Sequence, residues 1–277
     1  MIRYICKNTN GVTLIELLIA LVISAVLVGG MYRTFVYQQK TYATQEQVAD
    51  MQQNVRVAIN RMMREIRMAG FGNIGDVLPV TFPGVGRTYT DVVNPDAPSA
   101  GDFTIVSGIG GTATLQGQPA SNQIQVSSLA EFNTIDRRYI SIGGLESHFI
   151  TAIDVPNRIL TLNTDAKNTY QIGGPNPTLV YAIRAISYRV APDASGRPIL
   201  RRDENIGGGF QPMADNIESV EFRNPDGSMP LNPSSLSMQV AVTARTDRPD
   251  AELLKGGIDG YRRKQYTSII LQRNRSL

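Results

Sequence analysis

From Val12 to Met31 the chain runs for about twenty residues with one charge, Glu16, and with Thr13 and Ser24 as the clearly polar side chains. At roughly 1.5 Å rise per residue such a run spans about 30 Å as a helix, the thickness of a bilayer's hydrocarbon core. Lipid offers open backbone groups no partner, so helix is the form expected there. The pattern then changes without a break. Tyr32 to Ala69 contains no proline and no glycine, and helix-forming residues dominate. Val48, Met51, Val55, Ile59, Met62, Ile66 and Ala69 recur in steps of three and four, which predicts an apolar seam on one side of an amphipathic helix. Arg56, Asn60, Arg61, Arg64 and Arg67 fill the other sides and read as a solvated face rather than a nucleic-acid stripe. Gly70, ahead of Phe71-Gly72, supplies a stop. The spacing predicts one helix from about Thr13 to Ala69, roughly 85 Å long at the standard rise. Gly29-Gly30 is its weakest point, where bending or melting costs least.

Beyond the helix the period drops to two. From Gly75 to about Ala120 the composition turns to Gly, Pro, Thr, Asn and Asp. Pro79, Pro83, Pro95, Pro98 and Pro119 argue against helix, so this stretch reads as loops with a strand or two, such as Phe103 to Val106, and as the exposed, variable surface. Later segments alternate and are bounded by turn residues. They are Gln123–Ser127, Arg138–Ile142, Phe149–Asp154, Ile159–Leu162, Leu179–Val190, Ile199–Arg202, Ile217–Phe222, Met238–Arg245 and Tyr266–Gln272. Pro192-Asp193-Ala194-Ser195-Gly196 reads as a hairpin loop and Asn224-Pro225-Asp226-Gly227 as a turn. A long helix followed by short strands predicts an α+β fold with an antiparallel β-rich head.

Composition narrows the chemistry. With 277 residues and a formal net charge of +3, the chain shows no charge excess that would call for nucleic acid. Cys6 is the one cysteine, so no internal disulfide can form. His148 is the one histidine and reads as a packed or surface residue. No zinc spacing and no nucleophile elbow is present. Gly207-Gly208-Gly209 lacks the lysine and the strand-to-helix context of a phosphate loop. Asp226-Gly227 and Asp247 to Asp250 lack calcium-loop spacing and read as turn and loop. Arg262-Arg263-Lys264 reads as a solvated start to a strand. No enzyme activity, no cofactor and no metal is expected.

Glu16 is the informative residue. A carboxylate this close to hydrocarbon is costly and points to function. A cut between Gly11 and Val12 would create an α-amino group four residues earlier, on the same helical face. Gly11-Val12-Thr13-Leu14-Ile15-Glu16, a short basic leader with Arg3 and Lys7, and the apolar run resemble the class III signal of type IV prepilins. A secretory signal would have a shorter apolar core with its cut site after it. The resemblance implies cleavage after Gly11 by a prepilin peptidase, methylation of Val12 and subunit register set by Glu16. Leu14, Ile15, Leu17 and Leu18 would then belong to the assembly helix. The family usually has phenylalanine where Val12 stands. The divisions implied are residues 1–11 as leader, 12–32 as transmembrane and filament-core helix, 33–70 as its amphipathic continuation and 71–277 as exported head. The positive-inside rule keeps the leader end cytoplasmic. The exported part would hold no cysteine, unlike many major pilins, which often carry a C-terminal disulfide loop.

The stretch Asn54 to Gly72, ending Glu65-Ile66-Arg67-Met68-Ala69-Gly70-Phe71-Gly72, is similar to the region after the stalk in PilW-type minor pilins. Ile217-Glu218-Ser219-Val220-Glu221-Phe222 and Ile269-Ile270-Leu271-Gln272-Arg273-Asn274-Arg275 look like PilW-type and pseudopilin-J patterns. This resemblance implies a non-catalytic minor pilin in a tip complex that helps initiate pilus assembly. Its partners would be other minor pilins, the major pilin, the prepilin peptidase and the inner-membrane assembly platform, as a hetero-oligomer in a filament. It would be stored as a single-pass inner-membrane protein with a periplasmic head and then reach the cell surface. A J-type pseudopilin of type II secretion, and a tip adhesin using Gly75–Ala120, are the alternative readings.

Overall fold

The computed structural model describes residues 11–71, 80–82, 87–95, 103–135, 137–232, 235–257 and 259–272. Most of the expected leader, Gly72 of the expected stop, Pro79, Pro83, Pro98 and Arg273-Asn274-Arg275 lie outside those residues. The chain divides into two units, Met1–Ala49 and Asp50–Leu277.

Helix α1 is continuous over Leu14–Arg67, 54 residues, including Gly29 and Gly30. Within the first unit the large apolar side chains face outward, from Leu14 (84% exposed) to Met31 (72%). In water this would be strongly unfavourable at about 25 cal/mol per Å², so the segment is built for lipid or for other helices.

In the second unit α1 buries a stripe of Met51, Val55, Ala58, Met62 and Ile66, which Ala69 continues past the helix end. Ala58 takes the place that the sequence pattern gave to Ile59, which is half-buried. At about 100° per residue Ile59 falls some 80° from Met51, at the margin of the stripe. Gly70 ends the element with φ +78, and its amide donates to Val106 O at 3.0 Å.

The strands are β1 (Val80–Phe82), β2 (Arg87–Tyr89), β3 (Val93–Pro95), β4 (Phe103–Thr114), β5 (Gln123–Gln125), β6 (Tyr139–Ile142) and β7 (Glu146–Asp154). They continue with β8 (Ile159–Leu162), β9 (Leu179–Pro192), β10 (Pro198–Asp203), β11 (Gln211–Asp215), β12 (Ile217–Arg223) and β13 (Ser237–Arg245). A short helix, α2 (Ala251–Lys255), precedes β14 (Arg263–Leu271). All pairings among them are antiparallel.

Strand β9 is the spine. One of its edges carries β4 along most of its length, Tyr188 to Leu179. The other edge is shared end to end by β10, against Pro192 to Ser187, and β6, against Ala182 to Val180. The sheet extends from there through β7, β8 and β5 on one side and through β11 on the other. Ile140, Ile142, Ile150, Leu160, Leu162, Val180 and Ala182 form one core with Phe132 and Tyr170. Strands β12, β13 and β14 make a second sheet, whose Met238, Val240, Val242, Ala244 and Ile270 are buried. Phe222 of β12 stacks on Phe103 of β4, with ring centroids 3.5 Å apart.

The α+β class and the antiparallel β-rich head stand as read from the pattern. The stretch Gly75–Ala120 needs correction. Its described part holds β1 to β4, and Tyr89, Val92, Val93, Phe103, Ile105, Val106 and Ala113 are buried. Much of that described part lies in the core rather than in exposed loop. The glycines conceal β4: Gly108 donates to Phe71 O at 2.7 Å, where an added Cβ would collide with that same oxygen. A bulge between Ile109 and Thr112 absorbs Gly110, at φ +72.

Candidate functional site

The first site is the start of α1. Gly11, Val12 and Thr13 lie outside the helix and Leu14 opens it. The first amides of a helix need acceptors from outside the ladder, and Thr13-Leu14-Ile15-Glu16 supplies a capping box. The Glu16 amide donates to Thr13 Oγ1 at 3.3 Å, and the Thr13 amide and hydroxyl donate to Glu16 Oε2, each at 3.3 Å. The carboxylate therefore folds back toward the helix N-terminus, where the positive end of the macrodipole also favours an anion. The sequence pattern alone gives Glu16 a partner only after cleavage. The uncut chain already gives it one, Thr13, beside Val12. The T-x-x-E spacing was the signal for this role of Thr13. Val12, Leu14, Ile15, Leu17 and Leu18 are exposed around the box, each above 50%. Gly11 precedes them, and an added Cβ there would meet nothing.

The second site is a charge cluster inside the second unit that periodicity did not reveal. Arg202 of β10 donates to Glu65 of α1 through Nε at 3.1 Å, and its Nη2 lies 2.9 Å from the same oxygen. The Tyr188 hydroxyl donates to Glu65, and Arg202 also pairs with Glu204. Arg202 and Glu65 side chains are only 10% and 16% exposed. Burial pulls the Arg202 guanidinium down, but Glu65 and Glu204 outweigh it and hold it above its usual value. Asn54 donates to Asp215 O, and the Ser268 hydroxyl meets Met63 Sδ at 3.5 Å. The helix segment from Asn54 to Glu65 is thus tied to β9, β10, β11 and β14. Within Glu65-Ile66-Arg67-Met68-Ala69-Gly70-Phe71, Glu65 locks to the sheet, Ile66 and Ala69 fill it, and Gly70 and Phe71 bond to β4. Arg67 and Met68 face outward.

The lone histidine belongs to a third cluster. His148 is buried, with Nδ1 at 3.0 Å from Thr164 Oγ1 and Nε2 at 3.2 Å from Glu146 Oε2. Glu146 also accepts from the Lys167 and Asn168 amides and from the Tyr170 hydroxyl. Burial pushes the Glu146 carboxyl up, but those donors and His148 outweigh it and leave it below its ordinary 4.5. A carboxyl lowered in the folded state stabilises the fold above its unfolded value, and that contribution fades as pH falls through the folded one. The urea midpoint of the chain in detergent should therefore decline as pH drops below about 4.5. Glu146→Gln should lower the midpoint at neutral pH and flatten that decline. An equally steep decline in the variant would show that Glu146 is not responsible.

The other sequence candidates are structural. Asp226 accepts from the amide and hydroxyl of Ser228 in the turn between β12 and β13. Arg262 pairs with Asp250, and Arg263 is bidentate to Glu218, so the basic run is exposed yet partnered. Among the described residues no group of three or more His, Cys, Asp or Glu is placed to hold a metal ion.

The prokaryotic N-terminal methylation motif matches residues 6–32, the end that carries Gly11, Val12, the capping box and the apolar half of α1. No curated protein and no solved structure matches the chain. The motif and the long apolar helix near the N-terminus, the one such helix among the described residues, support a type IV pilin-like, membrane-anchored protein. The motif implies processing by a prepilin peptidase and association with the membrane.

Proposed function

We propose that the chain is a PilW-type minor pilin, which primes filament assembly within a tip complex of minor pilins and catalyses no reaction itself. The observation that carries this reading is the division of labour along α1. Its first half exposes apolar surface on every side and holds one acid at its start. Its second half is bound into a β-rich head through Glu65, the buried stripe and Ala69-Gly70-Phe71. A subunit stored in the bilayer by residues 12–32 passes into a helix bundle without exposing apolar surface to water. Glu16 supplies register by meeting the α-amino group of a neighbour. The buried course of β2 to β4 counts against a tip adhesin built from Gly75–Ala120, because deleting that stretch would remove core.

The test is mass analysis of the intact protein recovered from cells that carry a prepilin peptidase. The expected species begins at Val12 and carries one additional methyl group. A chain that still begins at Met1 would overturn the reading.

A further inference from the structure

We propose that Arg33, Tyr37 and Lys40 form a contact site for the headgroup phosphate of an anionic phospholipid in the leaflet where α1 leaves the membrane. The inference rests on the reading that the apolar half of α1 spans a bilayer. Counting 18 residues from Leu14 to Met31 gives roughly 27 Å at the standard helical rise. Residues 32–40 therefore fall in the headgroup layer and just beyond it.

Two faces emerge there. At about 100° per residue, Arg33, Tyr37 and Lys40 lie within an arc of roughly 60°. Tyr32, Phe35 and Tyr42 lie within roughly 80° on the opposite side. The aromatic side chains are open: Tyr32 is 67% exposed, Phe35 56%, Tyr37 68% and Tyr42 69%. Arg33 and Lys40 are exposed as well. Aromatic rings with polar tips concentrate at membrane interfaces, and long cationic side chains reach for phosphates there.

The charge pattern selects the occupant. No Asp or Glu stands between Glu16 and Glu46, so the two cations share their stretch of helix with no acid. The two glycines of the helix lie on the same side, one turn toward the membrane. A Cβ at Gly29 or Gly30 would meet nothing in the chain, so the chain's own packing does not require glycine at either position. Their missing side chains open the backbone below Arg33, where the upper part of a lipid would lie. An anionic lipid fits this combination of two cations and a phenol above apolar helix surface.

The chain contains no tryptophan, so a single introduced indole is a clean probe. Tyr37→Trp, which keeps an aromatic ring with a hydrogen-bond donor at that place, would report the site and Ile23→Trp the bilayer core, each in the full chain reconstituted into phosphatidylcholine vesicles with phosphatidylglycerol. Brominated phosphatidylglycerol is expected to quench the indole at position 37 at least about twofold more than brominated phosphatidylcholine at equal mole fraction. Adding Arg33→Gln and Lys40→Gln should bring that ratio to about one, while inorganic phosphate in the buffer leaves the original ratio unchanged. Position 23 should be quenched equally by both lipids throughout. Equal quenching at position 37, or a preference that survives loss of both cations, would overturn the proposal. So would a preference abolished by inorganic phosphate, which would indicate a free-phosphate site. Quenching at 23 but none at 37 would likewise overturn the proposal, while leaving the spanning reading standing. No quenching at either position would remove both.

Discussion

Glu16→Ala is expected to insert into the membrane and to be cut after Gly11 as before, yet to be missing from assembled filaments. Insertion should not suffer, since an ionised residue at the centre of a membrane helix costs about 2.5–3.5 kcal/mol on insertion scales, and less near its end. Removing the acid eases that step. The capping box would be lost, at a cost of about 1 kcal/mol in helix stability. That loss frays one turn of a 54-residue helix and is not expected to prevent assembly by itself. What disappears is the one negative charge in the apolar run, which a neighbouring α-amino group would meet in a water-poor bundle. Glu16→Gln separates the two roles, because the amide oxygen can still accept from Thr13 while the charge is gone. Failure of both variants would assign the effect to charge, whereas assembly by the Gln variant would assign it to the cap. The measurement is the amount of this subunit in sheared filament fractions against the amount in membranes. Equal incorporation of Glu16→Ala and parent would end the register role.

Much of this architecture was legible in residue order, and the gaps have identifiable causes. The helix was predicted over Thr13 to Ala69 and found over Leu14–Arg67, because periodicity, proline-free composition and Gly70 all point the same way. Ile159–Leu162 coincides with β8, and Leu179–Val190 falls two residues short of the end of β9, at Ala191 and Pro192. Strand β4 was seen only in its first four residues because Gly108, Gly110 and Gly111 break its alternation. Those glycines answer to Phe71 O and to a bulge, neither of which local sequence discloses. Strand β11 hides for a related reason. It contains Pro212, lies at the edge of its sheet beside a register shift, and buries only Ala214 fully. The N-terminal site was legible because its chemistry is compressed into six residues. The lock between Glu65 and Arg202 was not, because its partners are 137 residues apart and each looks like one more charge on a polar face.

Breaking that lock from one side should be costly to the second unit. Glu65→Ala would leave Arg202, 10% exposed, with Glu204 alone, and Arg202→Ala would leave Glu65 with Tyr188 and the weaker 3.4 Å contact from Arg61. Removing one partner of a buried pair strands the other, at a typical cost of about 3–5 kcal/mol. The remaining partners here argue for the low end, about 3 kcal/mol for either variant. Replacing both at once, as Glu65→Leu with Arg202→Met, removes both desolvation costs and should recover more than half of the loss. The contrast is the pair of Arg197 with Asp193 in the loop between β9 and β10, where solvent reaches the guanidinium and removing Arg197 should change stability far less. Urea unfolding of the full chain in detergent, followed by tyrosine near-UV dichroism, reads the head and ignores the apolar half of α1 except for its few tyrosines. Losses below about 0.5 kcal/mol in both single variants would mean that Glu65 and Arg202 behave as surface charges. In that case the apolar stripe from Met51 to Ala69 would carry most of the hold of the helix segment on the sheets.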